Sequence, residues 1–358
     1  MVMSEDKREI LNDFQRQQAI DPAGMARLTI ELPEQMKEAW EIGQKAPLPE
    51  MKEPANIVIG GMGGSAIGGD ILRTLLADEL KVPVVVNRDY HLPAFVGEKT
   101  LVVMVSYSGN TEETLSSFRE AVARGASIVA LTSNGRLEQA SSELGIPVIK
   151  IPGGISPRAA IGYTFLPVLA VACRLGLVAD REEEVREMIA LLQEMSAKLH
   201  PARQDNQAKK IALALYQKLP VIYGSQGWKG VVAQRWKCQL NENSKAPAYW
   251  NEYPELNHNE TVGWEACPEL TTRFVVINLR DERDQLEIKK RFDITTELIE
   301  ENADRVIEVY ADGKSKLARM FSLIYLGDFV SIYLAYLYGI DPTPVKVIDL
   351  LKKRLKKD

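Results

Sequence analysis

A chain of 358 residues that is 46% hydrophobic and 26% charged has ordinary globular composition, and it is long enough for two domains with separate cores. The formal net charge is −5, with acids and bases mixed along the chain, which argues against nucleic acid or an anionic membrane as the main partner. Cys173, Cys238 and Cys267 lie far apart and form no CxxC pair, so neither a disulfide framework nor a cysteine-rich zinc site is indicated, and a reducing cytoplasm fits best.

The N-terminal stretch "MVMSEDKREILNDF" lacks the apolar core of a signal peptide. The first fifty residues read as two polar helices; in "LPEQMKEAWEIG" Leu32, Met36 and Trp40 recur at helical spacing. The pattern then changes. "ANIVIGG" reads as a buried strand and "GGDILRTLLADEL" as the helix after it. "VPVVVNRDY", "TLVVMVSYS", "SIVALTSN" and "IPVIKIP" read as further strands, with "TEETLSSFREAVARG" as a helix ending at Gly125. Unbroken Val/Ile/Leu runs separated by helices are the pattern of a parallel sheet covered on both faces.

A mostly helical stretch, 161–217, passes through the polar segment "HPARQDNQAKK", where a domain boundary is expected. The alternation then restarts. "LPVIYGS", "TRFVVINLR" and "DRVIEVYA" read as strands, "GWKGVVAQRWKCQLNENS" and "RDQLEIKKRFDITTELIEEN" as helices, and two long helices close the chain. The run "MFSLIYLGDFVSIYLAYLYG" is broken by Asp328 and reads as a buried helix, not a membrane span. The expected fold class is α/β, with two three-layer domains, each a parallel sheet with helices on both faces. The expected limits are a helical segment over 1–50, a first domain over 51–195 and a second over 196–358 with the C-terminal helices.

Two turns carry chemistry in the first half. "IGGMGGSAIGGD" (59–70) follows a strand and opens a helix, where glycines admit an anion to free N–H groups at a positive dipole end. A Walker A loop is excluded, since no Gly-Lys-Ser/Thr follows. Gly61, Gly63 and Ala66 with Asp89 also satisfy a dinucleotide fingerprint. The second turn, "SYSGNTEET" (106–114), decides against that. Ser106, Ser108 and Thr111 around a glycine can wrap a phosphate dianion without a lysine, whereas a dinucleotide domain has no need of such hydroxyls. The plain alternative for Ser108 or Thr111 is a helix N-cap.

The stretch "NENSKAPAYWNEYPELNHNE" (241–260) holds Glu242 and His258, one of only three histidines. Two prolines between them rule out one continuous helix, and the plain alternative is a polar surface loop.

The two turns together resemble the sugar isomerase (SIS) domain. With "SPRAAIGY", "LNENSK", "PELNHNE" and "DPTPVKVIDLLK", the resemblance sharpens to the bifunctional phosphoglucose/phosphomannose isomerases and spans nearly the whole chain. It implies two SIS domains and interconversion of glucose 6-phosphate, and mannose 6-phosphate, with fructose 6-phosphate through an enediol. It implies no cofactor and no metal; His91, His200 and His258 also lack ligand spacing. By resemblance, Glu242 shuttles the proton, His258 opens the sugar ring and Arg158 balances the enediolate. Ser65, Ser106, Ser108 and Thr111 hold the phosphate, with Gly63 and Gly64 lining the sugar. A C-terminal lysine also belongs to the family's site. Val345, Ile348 and Lys352 recur at i, i+3 and i+7, so Lys352 is expected to face inward. The resemblance further implies a homodimer whose subunits share active sites. Two readings compete: a non-catalytic sugar-phosphate sensor and a nicotinamide-dependent enzyme.

Overall fold

The computed structural model describes residues 5–51 and 53–355. Two compact units divide the chain: one is Glu31–Leu192 with Gly313–Ala318, and the other is Met1–Ile30, Gln193–Asp312 and Arg319–Asp358.

Where two N-terminal helices were expected, the described residues form four: α1 (Glu5–Ile10), α2 (Phe14–Ile20), α3 (Met25–Ile30) and α4 (Leu32–Lys45). Capping acids cut the segment into short pieces. Asp13 accepts from the Arg16 amide at 3.0 Å, and the Asp21 carboxylate accepts from the amides of Met25 and Ala26, each at 2.8 Å. Pro33, in the first turn of α4, forbids continuation from α3.

The first unit alternates β1 (Asn56–Gly60), α5 (Gly64–Leu75), β2 (Val84–Asn87), β3 (Thr100–Val105), α6 (Glu112–Ala123), β4 (Ser127–Thr132), α7 (Arg136–Glu143) and β5 (Val148–Lys150). A short 3-10 turn, Pro157–Ala159, then leads into α8 (Ile161–Arg174) and α9 (Glu182–Leu199). All five strands are parallel, in the order β2-β1-β3-β4-β5. Val58, Val102, Met104, Leu115, Phe118 and Ala130 form a core under one face. Gln35 of α4 fixes the start of α8: its amide donates to the Ala159 carbonyl at 3.0 Å and its oxygen accepts from the Gly162 amide at 2.8 Å.

The second unit holds α10 (Gln207–Leu215), β6 (Leu219–Ser225), α11 (Trp228–Ser244) and β7 (Tyr249–Tyr253). Two 3-10 turns follow, Glu255–His258 and Glu260–Trp264, then α12 (Pro268–Thr271), β8 (Phe274–Arg280), α13 (Leu286–Ile299) and β9 (Arg305–Tyr310). The chain continues with α14 (Lys316–Tyr338) and α15 (Lys346–Leu355). The four strands are parallel in the order β7-β6-β8-β9. Tyr223, Tyr253, Val276 and Phe292 are central to its core.

The apolar stretch of α14 is wholly buried, as a core helix. Asp328, the charge that interrupts it, is met in the interior by Arg235 Nη2 at 2.7 Å and Gln239 Nε2 at 2.9 Å. Strand β7 lies inside the stretch read as a polar loop. As an edge strand half open to solvent it needs no run of aliphatic residues, and Tyr249 is exposed.

Candidate active site

Crossovers from β1 and β3 leave in opposite directions, β1 toward β2 and β3 toward β4, although β1 and β3 are neighbours. A crevice therefore opens beyond their C-terminal ends, the place where open parallel sheets bind ligands. Both turns singled out from the sequence emerge there. The Ser65 hydroxyl accepts from the Tyr107 amide at 3.2 Å, tying one turn to the other. Ser106 donates its hydroxyl to Thr111 Oγ1 at 3.1 Å. Thr111 sits at the N-cap of α6, yet its side chain caps no helix amide. The Ser108 hydroxyl is exposed and accepts only locally, from the Asn110 amide at 3.3 Å. The hydroxyls are thus grouped at the mouth of the crevice and are not consumed in capping α6.

Glycine is dictated at two points. Gly109 has φ +66°, and a Cβ there would lie 1.7 Å from the Asn134 carbonyl oxygen. At Gly64 a Cβ would lie 2.8 Å from the Pro157 carbonyl oxygen, so the 3-10 turn packs directly on the N-terminus of α5. That turn carries Arg158, which is 5% exposed. Gly63 is open to solvent beside it. Ser65, Ser106, Ser108, Thr111, Gly63, Gly64 and Arg158 therefore all belong to one region of the first unit, with Ser65, Ser106 and Arg158 buried in it.

Glu242 lies in the last turn of α11, and its neighbours are pinned. Asn243 Nδ2 donates to Ser331 Oγ at 2.9 Å, and Ser244 Oγ donates to the Ser331 carbonyl at 2.6 Å, both on α14. Lys245 takes a left-handed conformation, φ 54°, and caps the helix. Its ammonium donates to the carbonyls of Glu242 at 2.8 Å and Pro342 at 2.8 Å, and to those of Asn243 and Asp341. This clamp holds Glu242 on the wall of a cavity of about 500 Å³, shared with Asn241 and the segment between α14 and α15. Sequence reasoning missed Lys245, although it stands in the same "NENSK" motif.

His258 ends the first 3-10 turn after β7; it is exposed, and its ring has no partner among the described residues. The turn around it is fixed. Tyr223 O–H and Asn251 Nδ2 donate to the two carboxylate oxygens of Glu260, and Asn257 Nδ2 donates to Thr295 Oγ1 at 2.7 Å. Burial, and then the Glu260 carboxylate, push the Tyr223 hydroxyl far above its ordinary pKa, so it stays a donor. Glu260 was also missed, two residues from the histidine in "NHNE".

Glu242 and His258 are held apart by topology. Register pairs Ser225 with Tyr253, so β6 and β7 end together, and α11 returns the chain from that end to the start of β7. Glu242, at the C-terminus of α11, is therefore beyond the start of β7, and His258 is beyond its end. Five residues of strand, about 16 Å, stand between the two levels. Consistent with this, His258 does not line the Glu242 cavity.

Lys352 departs from its expected orientation. No residue of α15 is buried, and Lys352 is exposed. Val345 and Ile348 of the expected stripe do line the cavity beside Glu242, but the stripe does not carry Lys352 inward with them. The three histidines remain separate: His91 is 3.9 Å from Glu120, and His200 Nδ1 accepts from the Ala202 amide at 3.1 Å.

Residues 204–355 match the family model of the bacterial phospho-glucose isomerase C-terminal SIS domain, and residues 50–143 match that of the SIS domain. The chain is 48% identical over 327 residues to the bifunctional phosphoglucose/phosphomannose isomerase of Caldicellulosiruptor bescii, covering 90% of this chain and 96% of the relative. It is 41% identical over 302 residues to the protein of that description from Aquifex aeolicus, covering 84% and 90%. A hypothetical protein of Thermus thermophilus aligns in structure with a TM-score of 0.75 at 17% identity, over 96% of this chain and 93% of that one, a likeness of fold.

Proposed function

Because the chain belongs to the bifunctional phosphoglucose/phosphomannose isomerase family, it is an aldose–ketose isomerase of sugar 6-phosphates, and we propose which of its residues carry each step. Ser65, Ser106, Ser108 and Thr111 receive the phosphate, aided by the N-termini of α5 and α6. Gly63 and Gly64 let the sugar approach the backbone. His258 opens the ring, since an imidazole both donates and accepts near neutral pH. Glu242 removes the proton from C2 and returns it to C1, and Arg158 offsets the enediolate charge. Lys352 joins the site from α15. Family membership displaces the sensor and nicotinamide-dependent alternatives.

The single observation that supports the phosphate assignment best is the Ser106–Thr111 hydroxyl pair at the switch point, free of any capping duty. The separation of Glu242 and His258 supports a homodimer with shared sites, in which the histidine on a given sugar comes from the neighbour. Exposed Leu351 and Leu355 on α15 give such a dimer apolar surface to cover. A cytoplasmic setting suits three cysteines that are all free thiols.

The test is isomerisation of fructose 6-phosphate by purified protein with no metal or nicotinamide added. Glu242→Gln keeps shape and removes the base; kcat should fall roughly a hundredfold or more. Proton exchange at C2 in deuterated water should fall with it, and near-normal exchange would assign the base elsewhere.

A further inference from the structure

At the edge of the second sheet where β6, β8 and β9 begin, a second cavity, of about 690 Å³ and open to solvent, is lined by α1, α10 and the segments entering those strands. Five of the ten side chains lining it are cationic: Arg8, Lys210, Lys218, Arg273 and Arg305. Asp304 is the one acid among them. Lys218 and Arg305 share Asp304, and Lys210 reaches Asp205 at 2.6 Å. Arg8 and Arg273, both exposed, have no side-chain partner among the described residues. One carboxylate shared by two cations, beside two guanidinium groups with no side-chain partner among the described residues, leaves the cavity lining positive in a chain whose net charge is −5. Concave walls of one sign focus the field on whatever enters.

Size and shape narrow the ligand. The volume is that of a small-molecule pocket, and it is too roomy for a single phosphate ion. Guanidinium forks and ammonium groups from several elements suit two or more phosphate groups held at once. We propose that this cavity is an effector site for a small molecule carrying at least two phosphate groups.

A physical link runs from it to Glu242. Tyr216 and Gln217 line the cavity next to Lys218. The Gln217 amide, held at φ 59°, donates to Tyr338 Oη at 3.0 Å, and the Tyr216 ring lies 5.1 Å from the Tyr338 ring. Tyr338 ends α14, and Ile340, Asp341 and residues 344–348, soon after it, line the Glu242 cavity. An anion that draws Lys218 away from Asp304 shifts this corner and, through Tyr338, the rim beside Glu242. This coupling, but not the binding, rests on Glu242 as the base.

Calorimetric titration with inorganic pyrophosphate separates the two sites when done on the Ser106→Ala, Thr111→Ala protein, whose catalytic phosphate contacts are weakened. Pyrophosphate should still bind there, at least tenfold more tightly than inorganic phosphate. Adding Arg273→Glu, or separately Arg8→Ala, should weaken it tenfold or more; both residues are exposed, so the fold is kept, as circular dichroism checks. No binding in the first variant, or binding indifferent to both arginine changes, overturns the site. In the otherwise unaltered enzyme, pyrophosphate should change kcat at least twofold, and Arg273→Glu should abolish that change while basal activity stays. Unchanged kcat at saturating pyrophosphate overturns the effector role. Failure of Glu242 as base is read separately, from Glu242→Gln, and leaves the titration untouched.

Discussion

Thr111 occupies a helix N-cap without capping, φ −68° and ψ 122°. Its hydroxyl accepts from Ser106 instead. On the proposed phosphate assignment, replacing both by alanine removes ligand contacts and no helix cap. KM should rise more than kcat falls, because phosphate contacts exist in ground and transition states alike. Each lost charge-assisted hydrogen bond is worth about 1.5–3 kcal/mol. The thermal midpoint should hold; a clear drop with unchanged KM would return Thr111 to a capping role. Lys209 makes a different point. It is 3% exposed, and its amine donates to the carbonyls of Pro201 at 2.7 Å and Arg203 at 2.5 Å. Burial lowers its pKa to about 8. Between there and its ordinary value of 10.5, the folded chain binds fewer protons than the unfolded one. Stability should therefore rise with pH across that window, and the cost of a charged Lys209 is fully present below it. Lys209→Met should flatten this slope in urea unfolding; an unchanged slope would assign it to other groups.

At the scale of elements, α11 and the turn after β7 each fix one chemical group from a distance. The turn owes its shape to Glu260, whose two oxygens accept from β6 and β7 through Tyr223 and Asn251. Glu260→Gln replaces one acceptor with a donor that faces another donor. We expect kcat to fall several-fold, because His258 loses its placement. Combined with His258→Ala, the change should add almost nothing, since Glu260 acts through the histidine. Additive losses in that double-mutant cycle would show that Glu260 has its own role. The second sheet also has a switch point, between β6 and β8, in the manner of the first. There the molecule fills its own crevice: Lys229 pairs with Asp284, 3% and 8% exposed, and Arg319 Nε meets Asp281 at 2.9 Å. One architecture used twice therefore has its switch-point crevice filled by ion pairs in the second unit.

For the whole molecule, the separation of Glu242 and His258 along β7 sets the decisive test. His258→Ala and Glu242→Gln subunits are each expected to be nearly inactive alone. On the proposed shared-site reading, mixing gives dimers in which one site takes an intact Glu242 from one subunit and an intact His258 from the other, so activity should return. Heterodimers confirmed by mass that recover nothing would end the shared-site reading.

The sequence by itself determined what depends on neighbours along the chain. Aliphatic runs gave β1, β3, β4, β6 and β8, because a strand buried on both faces needs apolar residues at every position. Glycine turns at 61–64 and 109 were legible because a positive φ or a close backbone approach admits no side chain. Other features required the tertiary structure. Edge strand β7 buries too little to carry an aliphatic signature, so "APAYWNEY" reads as loop. The inward stripe of α15 presumed a surface along its whole length, and among the described residues none of α15 is buried. Lys245 and Glu260 look like ordinary charges until the carbonyls and hydroxyls they bind are brought in from elsewhere in the chain. The distance between Glu242 and His258 was hidden for the same reason. Sixteen residues separate them in sequence, and only the direction of the crossover from β6 to β7 decides that they stand at opposite ends of a strand.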